Sequence, residues 1–132
     1  MAHFVDSNIV CYCFSVVSQN QAALSVVRDA TISVQVLNEF ANVARRKWKY
    51  GWPEVADAVA LIRTYVAQVR PVDEATHDLG RALAERYKLN IYDGFIVAAA
   101  YLAECDTLYS EDMQHGMVIE GRLTIRNPFI AA

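Results

Sequence analysis

Short apolar segments alternate with longer amphipathic segments along this chain. The short ones, at 4–5, 31–33, 69–72, 106–109 and 123–125, predict strands. Apolar residues between them recur at helical spacing, and the run that contains Val36, Leu37, Phe40, Val43 and Ala44 is the clearest example. Strands that alternate with helices predict an α/β fold whose central sheet has four to five parallel strands.

Helix signals occur at the expected places between these strands. The pattern predicts helices after Asp6, over 19–28, from Val34, over 54–67, after 69–72 and over 94–103. Ser33 is suited to cap the helix that starts at Val34, and Asp73 or Thr76 can open the fifth helix. The helix over 94–103 is apolar on almost all sides, so we expect it to be buried.

Length and composition fit one globular domain spanning residues 1–132. Hydrophobic residues make up 55% of the sequence, which favours a sheet covered on both faces and allows an oligomer interface. No stretch approaches the roughly 20 apolar residues of a membrane span, and the N-terminus does not resemble a signal peptide. We therefore expect a cytoplasmic protein with no membrane partner.

The three cysteines, Cys11, Cys13 and Cys105, do not form a recognisable metal motif. Cys11 and Cys13 are two positions apart, and no second pair follows them, so the spacing argues against zinc. Buried thiols in a reducing compartment explain them best.

Four acids lie just after apolar segments and are spread over most of the chain: Asp6, Glu39, Asp93 and Asp112. Each has an ordinary explanation, since Asp near a helix N-terminus caps free N–H groups and Ser110-Glu111-Asp112 could be a polar turn. Asp93, however, precedes the most apolar helix, where an unpaired carboxylate is costly. Glu39 lies between Leu37 and Phe40, away from any cap.

A parallel sheet would bring these acids together, because its strand ends open on one edge. Four carboxylates at one edge would repel each other unless cations lay between them. Their hard oxygens suit Mg²⁺ or Mn²⁺, and such an ion polarises a phosphate and acidifies water. The pattern therefore predicts metal-dependent chemistry on phosphates.

A basic cluster follows Glu39 and comprises Arg45, Arg46, Lys47 and Lys49. The formal net charge is −3, and removing the four acids from it leaves +1. The cluster could hold a nucleic-acid backbone, or it could be only a solvated surface.

Four segments resemble the PIN domain, and most closely the VapC-like toxins of bacterial toxin–antitoxin pairs. The run Phe4-Val5-Asp6-Ser7-Asn8 resembles the opening strand of that family. Segment 32–40, which contains Glu39, is similar to the second motif of the family. Segment 92–100, which contains Asp93, is similar to the third. Leu108 to Met113, which contains Asp112, resembles the fourth. Each motif alone is weak, but four in order form a strong pattern.

The resemblance implies a three-layer α/β/α sandwich and an endoribonuclease that hydrolyses RNA with metal-activated water. It implies that Asp6, Glu39, Asp93 and Asp112 hold Mg²⁺ or Mn²⁺. Ser7, Asn8 and Ser110 would orient these acids. It further implies a homodimer and an antitoxin protein that covers the site.

Alternatives remain open at this stage. Ser110 replaces a commoner Thr, the segment after Asn8 lacks the charged residues often found there, and Glu111 could replace Asp112 as the fourth acid. The chain could be a PIN-fold binding module without catalysis, or a PIN nuclease of RNA processing outside a toxin–antitoxin pair. A flavodoxin-like phosphotransfer domain fits less well, because Asp6-Ser7-Asn8 is not an Asp-x-Asp motif.

Overall fold

One mostly parallel sheet organises the protein, which we describe from a computed structural model over residues 2–15 and 18–130. Its strands are β1 (His3–Val5), β2 (Thr31–Ser33), β3 (Gln68–Arg70), β4 (Thr107–Tyr109), β5 (Val118–Ile119) and β6 (Leu123–Arg126). Their order is β3-β2-β1-β4-β6-β5, and only β5 runs antiparallel to its neighbour. The predicted α/β fold is confirmed, with five parallel strands and one additional antiparallel strand.

The helices of the described residues are α1 (Ser7–Tyr12), α2 (Asn20–Val27), α3 (Val34–Arg46), α4 (Trp52–Tyr65), α5 (Glu74–Tyr87) and α6 (Ile91–Leu102). Ser33 caps α3 as predicted, and Asp73 rather than Thr76 caps α5. The predicted start of the last helix at Gly94 is wrong: α6 begins at Ile91, because the Asn90 side chain accepts a hydrogen bond from the N–H of Asp93 at 2.9 Å.

Both faces of the sheet are covered. Phe4 and Val5 are consecutive on β1 and therefore face opposite sides of the sheet, yet neither is exposed to solvent. The three residues of β2 are buried as well. Full burial on both faces is typical of a parallel sheet between two helical layers, which agrees with the predicted sandwich.

The strand order creates a crevice at one edge of the sheet. The chain passes from β1 outward through β2 to β3, and then returns to place β4 on the other side of β1. At such a reversal the connections leave β1 and β4 in opposite directions, and ligands bind beyond the carboxyl ends of these strands. Asp6 and Ser110 are the first residues after β1 and β4.

Two glycines let α5 and α6 approach closely. A Cβ placed on Gly94 would lie 2.5 Å from the carbonyl oxygen of Gly80, and one on Gly80 would lie 2.6 Å from Cδ1 of Phe95. Neither position has room for a side chain. Because Gly94 follows Asp93 directly, this close packing also fixes where the first turn of α6 lies.

Strand β5 is the element that the sequence pattern did not predict. It has only two residues and pairs with β6 through a turn in which Glu120 and Gly121 both have positive φ. Positive φ at both central positions suits a tight hairpin. The Glu-Gly pair is not one of the usual Asn-Gly or Asp-Gly signals, so the hairpin left little trace in the sequence.

The three cysteines are free thiols. Cys105 is buried, whereas Cys11 and Cys13 are half-buried. Burial raises the pKa of Cys11 to about 12 and that of Cys13 to about 11. These thiols therefore stay protonated at neutral pH and are poor nucleophiles.

Across the described ranges, no helix is both long and apolar enough to cross a membrane.

Candidate functional site

Asp6 lies at the centre of the crevice. Its backbone N–H donates to the carbonyl oxygen of Tyr109 at 2.9 Å, which continues the pairing of β1 with β4 by one residue. The backbone of Asp6 is extended, and its side chain accepts a hydrogen bond from the N–H of Ser7 at 2.7 Å. Asp6 is therefore a helix cap, as its ordinary explanation predicts, but it is also buried at the strand reversal.

The carboxyl group of Asp6 is in an unfavourable environment for its charge. Burial, and to a lesser extent the nearby charges of Glu39 and Asp93, raise its pKa from 3.8 to about 7. Hydrogen bonds from Ser110 Oγ, at 2.8 Å, and from the Ser7 N–H act in the opposite direction. The donors available around Asp6 are thus too weak to offset the loss of hydration.

Glu39 joins this site from the middle of α3. Its Oε1 accepts a hydrogen bond from Ser7 Oγ at 2.6 Å, and its Oε2 accepts one from Gln35 Nε2 at 3.0 Å. The Ser7 hydroxyl also lies 3.4 Å from Asp6 Oδ1, so it bridges the first two acids. The ion pairs found among the described residues involve other side chains, so neither Arg45 nor Arg46 neutralises Glu39 there.

Asp93 lies in the first turn of α6. The Asn90 Nδ2 group donates to its Oδ2 at 3.1 Å. Burial raises the pKa of Asp93, and the charges of Glu39 and Asp112 raise it further. Repulsion between like charges thus connects all four acids: Asp6 interacts with Glu39 and Asp93, and Asp93 interacts with Asp112.

Asp112 and Glu111 have different surroundings in the turn after β4. Asp112 is exposed, and its negative charge raises the pKa of Asp93. Glu111 is half-buried, and its Oε1 accepts a hydrogen bond from Tyr12 OH at 2.7 Å. No helix follows Asp112 before β5, because the chain bends at 111–113.

The four acids do not form a ready coordination sphere. Within 2–15 and 18–130, no three His, Cys, Asp or Glu side chains are arranged to hold a metal ion. Their carboxylate oxygens are nevertheless the ligands that a hard divalent cation prefers.

Two open clefts flank the acids. One, of about 520 Å³, is lined by Glu39 and Asp93 together with Gln35, Asn38, Asn42, Asn90 and Tyr92. The other, of about 430 Å³, contains Asp112, Glu111 and Ser7 together with Asn8, Cys11, Tyr12, Ser15, Val43, Lys47 and Trp48. Sequence reasoning missed Tyr92, Tyr12 and the asparagines of α3. Asn38 and Asn42 share one face of that helix at a spacing of four, which could have identified them.

The basic cluster does not lie entirely on α3. The helix ends at Arg46, Lys47 follows it, and Lys49 has a positive φ. Arg45 donates to the carbonyl oxygen of Tyr50 at 2.8 Å, and its guanidinium lies 4.2 Å from the centre of the Trp52 ring. Lys47 is the member of the cluster that lines the second cleft, which Asp112 also lines.

Comparisons with known proteins agree with this fold. No curated protein matches the chain. Among solved structures, a toxin–antitoxin complex from Klebsiella pneumoniae is 20% identical, with a TM-score of 0.73 and coverage of 98% of both chains. VapBC2 from Rickettsia felis, bound to a DNA fragment from its promoter, is 18% identical, with a TM-score of 0.68 and coverage of 96% of this chain and 98% of the other.

A third structure, VapC20 from Mycobacterium tuberculosis, is described as a toxin that cleaves the sarcin-ricin loop. It is 19% identical, with a TM-score of 0.62, and the alignment covers 84% of this chain and 90% of that one. At these identities the likeness shows a shared fold. The family model of the PIN domain matches residues 3–116. The chain therefore belongs to the PIN domain family.

Proposed function

We propose that this protein is a Mg²⁺- or Mn²⁺-dependent endoribonuclease and the toxin of a VapBC-type toxin–antitoxin pair. The observation that carries this proposal is the Asp6 carboxyl, which is buried at the strand reversal and lies beside Glu39 with the Ser7 hydroxyl between them. A fold that places acids together without a neutralising side chain loses stability unless a cation binds there.

The donor set fits a hard divalent cation. Asp6, Glu39, Asp93 and Asp112 would hold it, all through carboxylate oxygens. Mg²⁺ or Mn²⁺ bound there would polarise the scissile phosphate and activate a water molecule for attack. Ser7 would keep Asp6 and Glu39 oriented through its hydroxyl, and Ser110, just after β4, would do the same for Asp6.

Asn8 has a different task from the two serines. Its Oδ1 accepts a hydrogen bond from the Glu111 N–H at 3.3 Å, so it holds the backbone beside Asp112 rather than a carboxylate. Lys47 would contact substrate phosphate from the second cleft. Arg46 and Lys49 are exposed and would hold the flanking backbone, whereas Arg45 would first have to leave Tyr50 and Trp52.

The substrate and partners follow from the same proposal. RNA is the expected substrate, an antitoxin protein and a second copy of the chain are the expected partners, and the cytoplasm is the expected location. The names of the Klebsiella and Rickettsia structures support an antitoxin partner, and that of VapC20 supports RNA cleavage.

Cleavage of a single-stranded RNA by the purified protein tests the activity. We expect Mn²⁺ or Mg²⁺ to be required, EDTA to stop cleavage, and Asp93→Asn to abolish it. Asp57→Asn is the matched control, because Asp57 is an exposed acid on α4 outside the site. If Asp93→Asn cleaves as fast as the wild type, the assigned site is wrong.

Two further measurements separate the alternatives. A binding module without catalysis would cleave no RNA and bind no Mn²⁺ in calorimetry. A PIN nuclease outside a toxin–antitoxin pair would cleave RNA without arresting growth on expression. Growth arrest that depends on Asp93 is the result expected of a toxin.

A further inference from the structure

Tyr12 and Glu111 form a contact between α1 and the turn that carries Asp112. The Tyr12 hydroxyl donates to Glu111 Oε1 at 2.7 Å, although 99 positions of sequence separate the two residues. One helical turn before Tyr12, Asn8 Oδ1 accepts from the Glu111 backbone N–H. Glu111 is therefore held by α1 at both its main chain and its side chain.

The same turn is also held from the sheet. The N–H of Ser110 donates to the carbonyl oxygen of Arg126 at 2.9 Å, and the Ser110 hydroxyl accepts from the N–H of Met113 at 3.3 Å while donating to Asp6. Asp112 itself is exposed and has no described hydrogen bond. Its position depends on the residues on either side of it.

Packing fixes the Tyr12 ring in addition to its hydroxyl. The ring meets Phe129 edge to face, with centroids 4.9 Å apart and planes at 72°. Edge-to-face contact of this kind is favourable and directional. Tyr12 thus contacts both Phe129 and Glu111, and the two contacts together favour one orientation of its ring.

We propose that Tyr12 and Glu111 are a positioning pair that holds Asp112 toward Asp93, and that Glu111 is not itself the fourth metal ligand. The inference rests on the proposed function, because it assigns roles within the same metal site. Glu111 is bonded to α1 through Tyr12, whereas Asp112 is the acid of this turn whose charge acts on Asp93.

Two substitutions of Glu111 distinguish positioning from ligation. Glu111→Gln keeps a side-chain oxygen that accepts from Tyr12 but removes the carboxylate, whereas Glu111→Ala removes both. For a positioning pair we expect Glu111→Gln to bind Mn²⁺ almost as well as the wild type. Glu111→Ala and Tyr12→Phe should each weaken Mn²⁺ binding by about tenfold, as expected for residues that orient metal ligands.

The double variant Tyr12→Phe with Glu111→Ala should weaken binding no more than either single change, because both remove the same hydrogen bond. Tyr87→Phe is the matched control. Its hydroxyl makes a comparable bond, to Glu120 Oε2 at 2.8 Å, outside the acid site. That variant should leave Mn²⁺ affinity and RNA cleavage unchanged.

Calorimetric titration with Mn²⁺ alone, together with kcat and KM for a short single-stranded RNA, provides the measurements. A loss of Mn²⁺ binding in Glu111→Gln as large as in Asp112→Asn would overturn the proposal and make Glu111 a ligand. Unchanged affinity and kcat in Tyr12→Phe would overturn it while leaving the proposed function intact. A wild-type protein that binds no Mn²⁺ and cleaves no RNA would overturn both.

Discussion

Asp6 and Glu120 are both carboxylates that accept hydrogen bonds, yet their pKa values move in opposite directions. The pKa of Asp6 rises to about 7, because burial and the charges of Glu39 and Asp93 outweigh its two main donors. The pKa of Glu120 falls, because Arg86 and the Tyr87 hydroxyl both bond to it. Glu120 is part of a satisfied surface contact, whereas Asp6 has charge that nothing described in the protein neutralises.

Under the proposed function, this difference separates an acid that binds a cation from one that only stabilises the fold. Both residues would be explained individually as ordinary polar contacts. Of the two, only Asp6 lies among other acids at the strand reversal. There its ionised carboxylate destabilises the metal-free protein. A site prepared for a cation has this property, and a salt bridge between Arg86 and Glu120 does not.

Asp6→Asn should have the largest effect and should separate activity from stability. We expect RNA cleavage to fall by about 10³-fold, because a ligand of the activating cation is lost. The metal-free protein should nevertheless become more stable at pH 8, by about 2 kcal/mol, since a buried charge is removed. Cleavage assays and urea unfolding in EDTA measure the two effects.

The pH dependence of that gain follows from the direction of the shift. Folded Asp6 keeps its proton up to about pH 7, whereas the unfolded chain releases it near 3.8. Between these values the folded state binds more protons, so metal-free stability falls as pH rises. Asp6→Asn should lack this decline. Equal pH profiles for the wild type and the variant would show that Asp6 is not the strained group.

Added Mn²⁺ should reverse the destabilisation of the acid site. At a concentration about 100 times the dissociation constant, we expect a gain of about 2.7 kcal/mol in unfolding free energy. At a fixed Mn²⁺ concentration the gain should grow as pH rises through 7, because the ion displaces the proton of Asp6. Thermal unfolding at several pH values measures this, with Asp6→Asn as the control. A shift in melting temperature equal in both proteins would mean that Mn²⁺ binds elsewhere.

Gly94→Ala should show how much the close approach of α5 and α6, next to Asp93, contributes to the free energy of unfolding. The new Cβ would meet the carbonyl oxygen of Gly80, so we expect a loss of about 1–3 kcal/mol from overpacking. Gly51→Ala is the control, since its Cβ would make only ordinary contacts of 3.6 Å or more. Urea unfolding of both variants measures the loss. If Gly94→Ala is neutral, α5 and α6 can separate at no cost.

Most of the framework was predictable from the sequence, because local signals and tertiary packing agree there. The parallel strands and the Ser33 cap follow from apolar patterning and capping chemistry. The start of α6 was not predictable from these signals. The pattern of polar and apolar residues is ambiguous at Leu89 and Asn90, and the capping residue Asn90 lies before the apolar run begins. Strand β5 was missed because two residues carry no periodicity.

The acids that lie near one another could be predicted from the sequence, but the hydrogen bonds around them could not, and the role of these acids as a site stays a prediction. The order of the acids along the chain identified Asp6, Glu39, Asp93 and Asp112 as candidates, and the structure links their charges. No local pattern could show that Tyr12 would reach Glu111, because that contact depends on how α1 packs beside the turn after β4. Long-range hydrogen bonds of this kind follow from the fold alone.

Glu120→Gln should have the smallest effect and the opposite sign to Asp6→Asn. The lowered pKa of Glu120 means that its charge stabilises the folded state above the unfolded value of 4.5 and loses this effect as pH falls through the folded pKa. Glu120→Gln should therefore lower the melting temperature slightly at pH 7, and the difference should vanish in acid. Added salt should reduce it as well, because the pair with Arg86 is exposed to solvent. Melting curves at two salt concentrations provide the measurement. A rise in melting temperature at pH 7 would mean that Glu120 is strained like Asp6, and the contrast between the two carboxylates would fail.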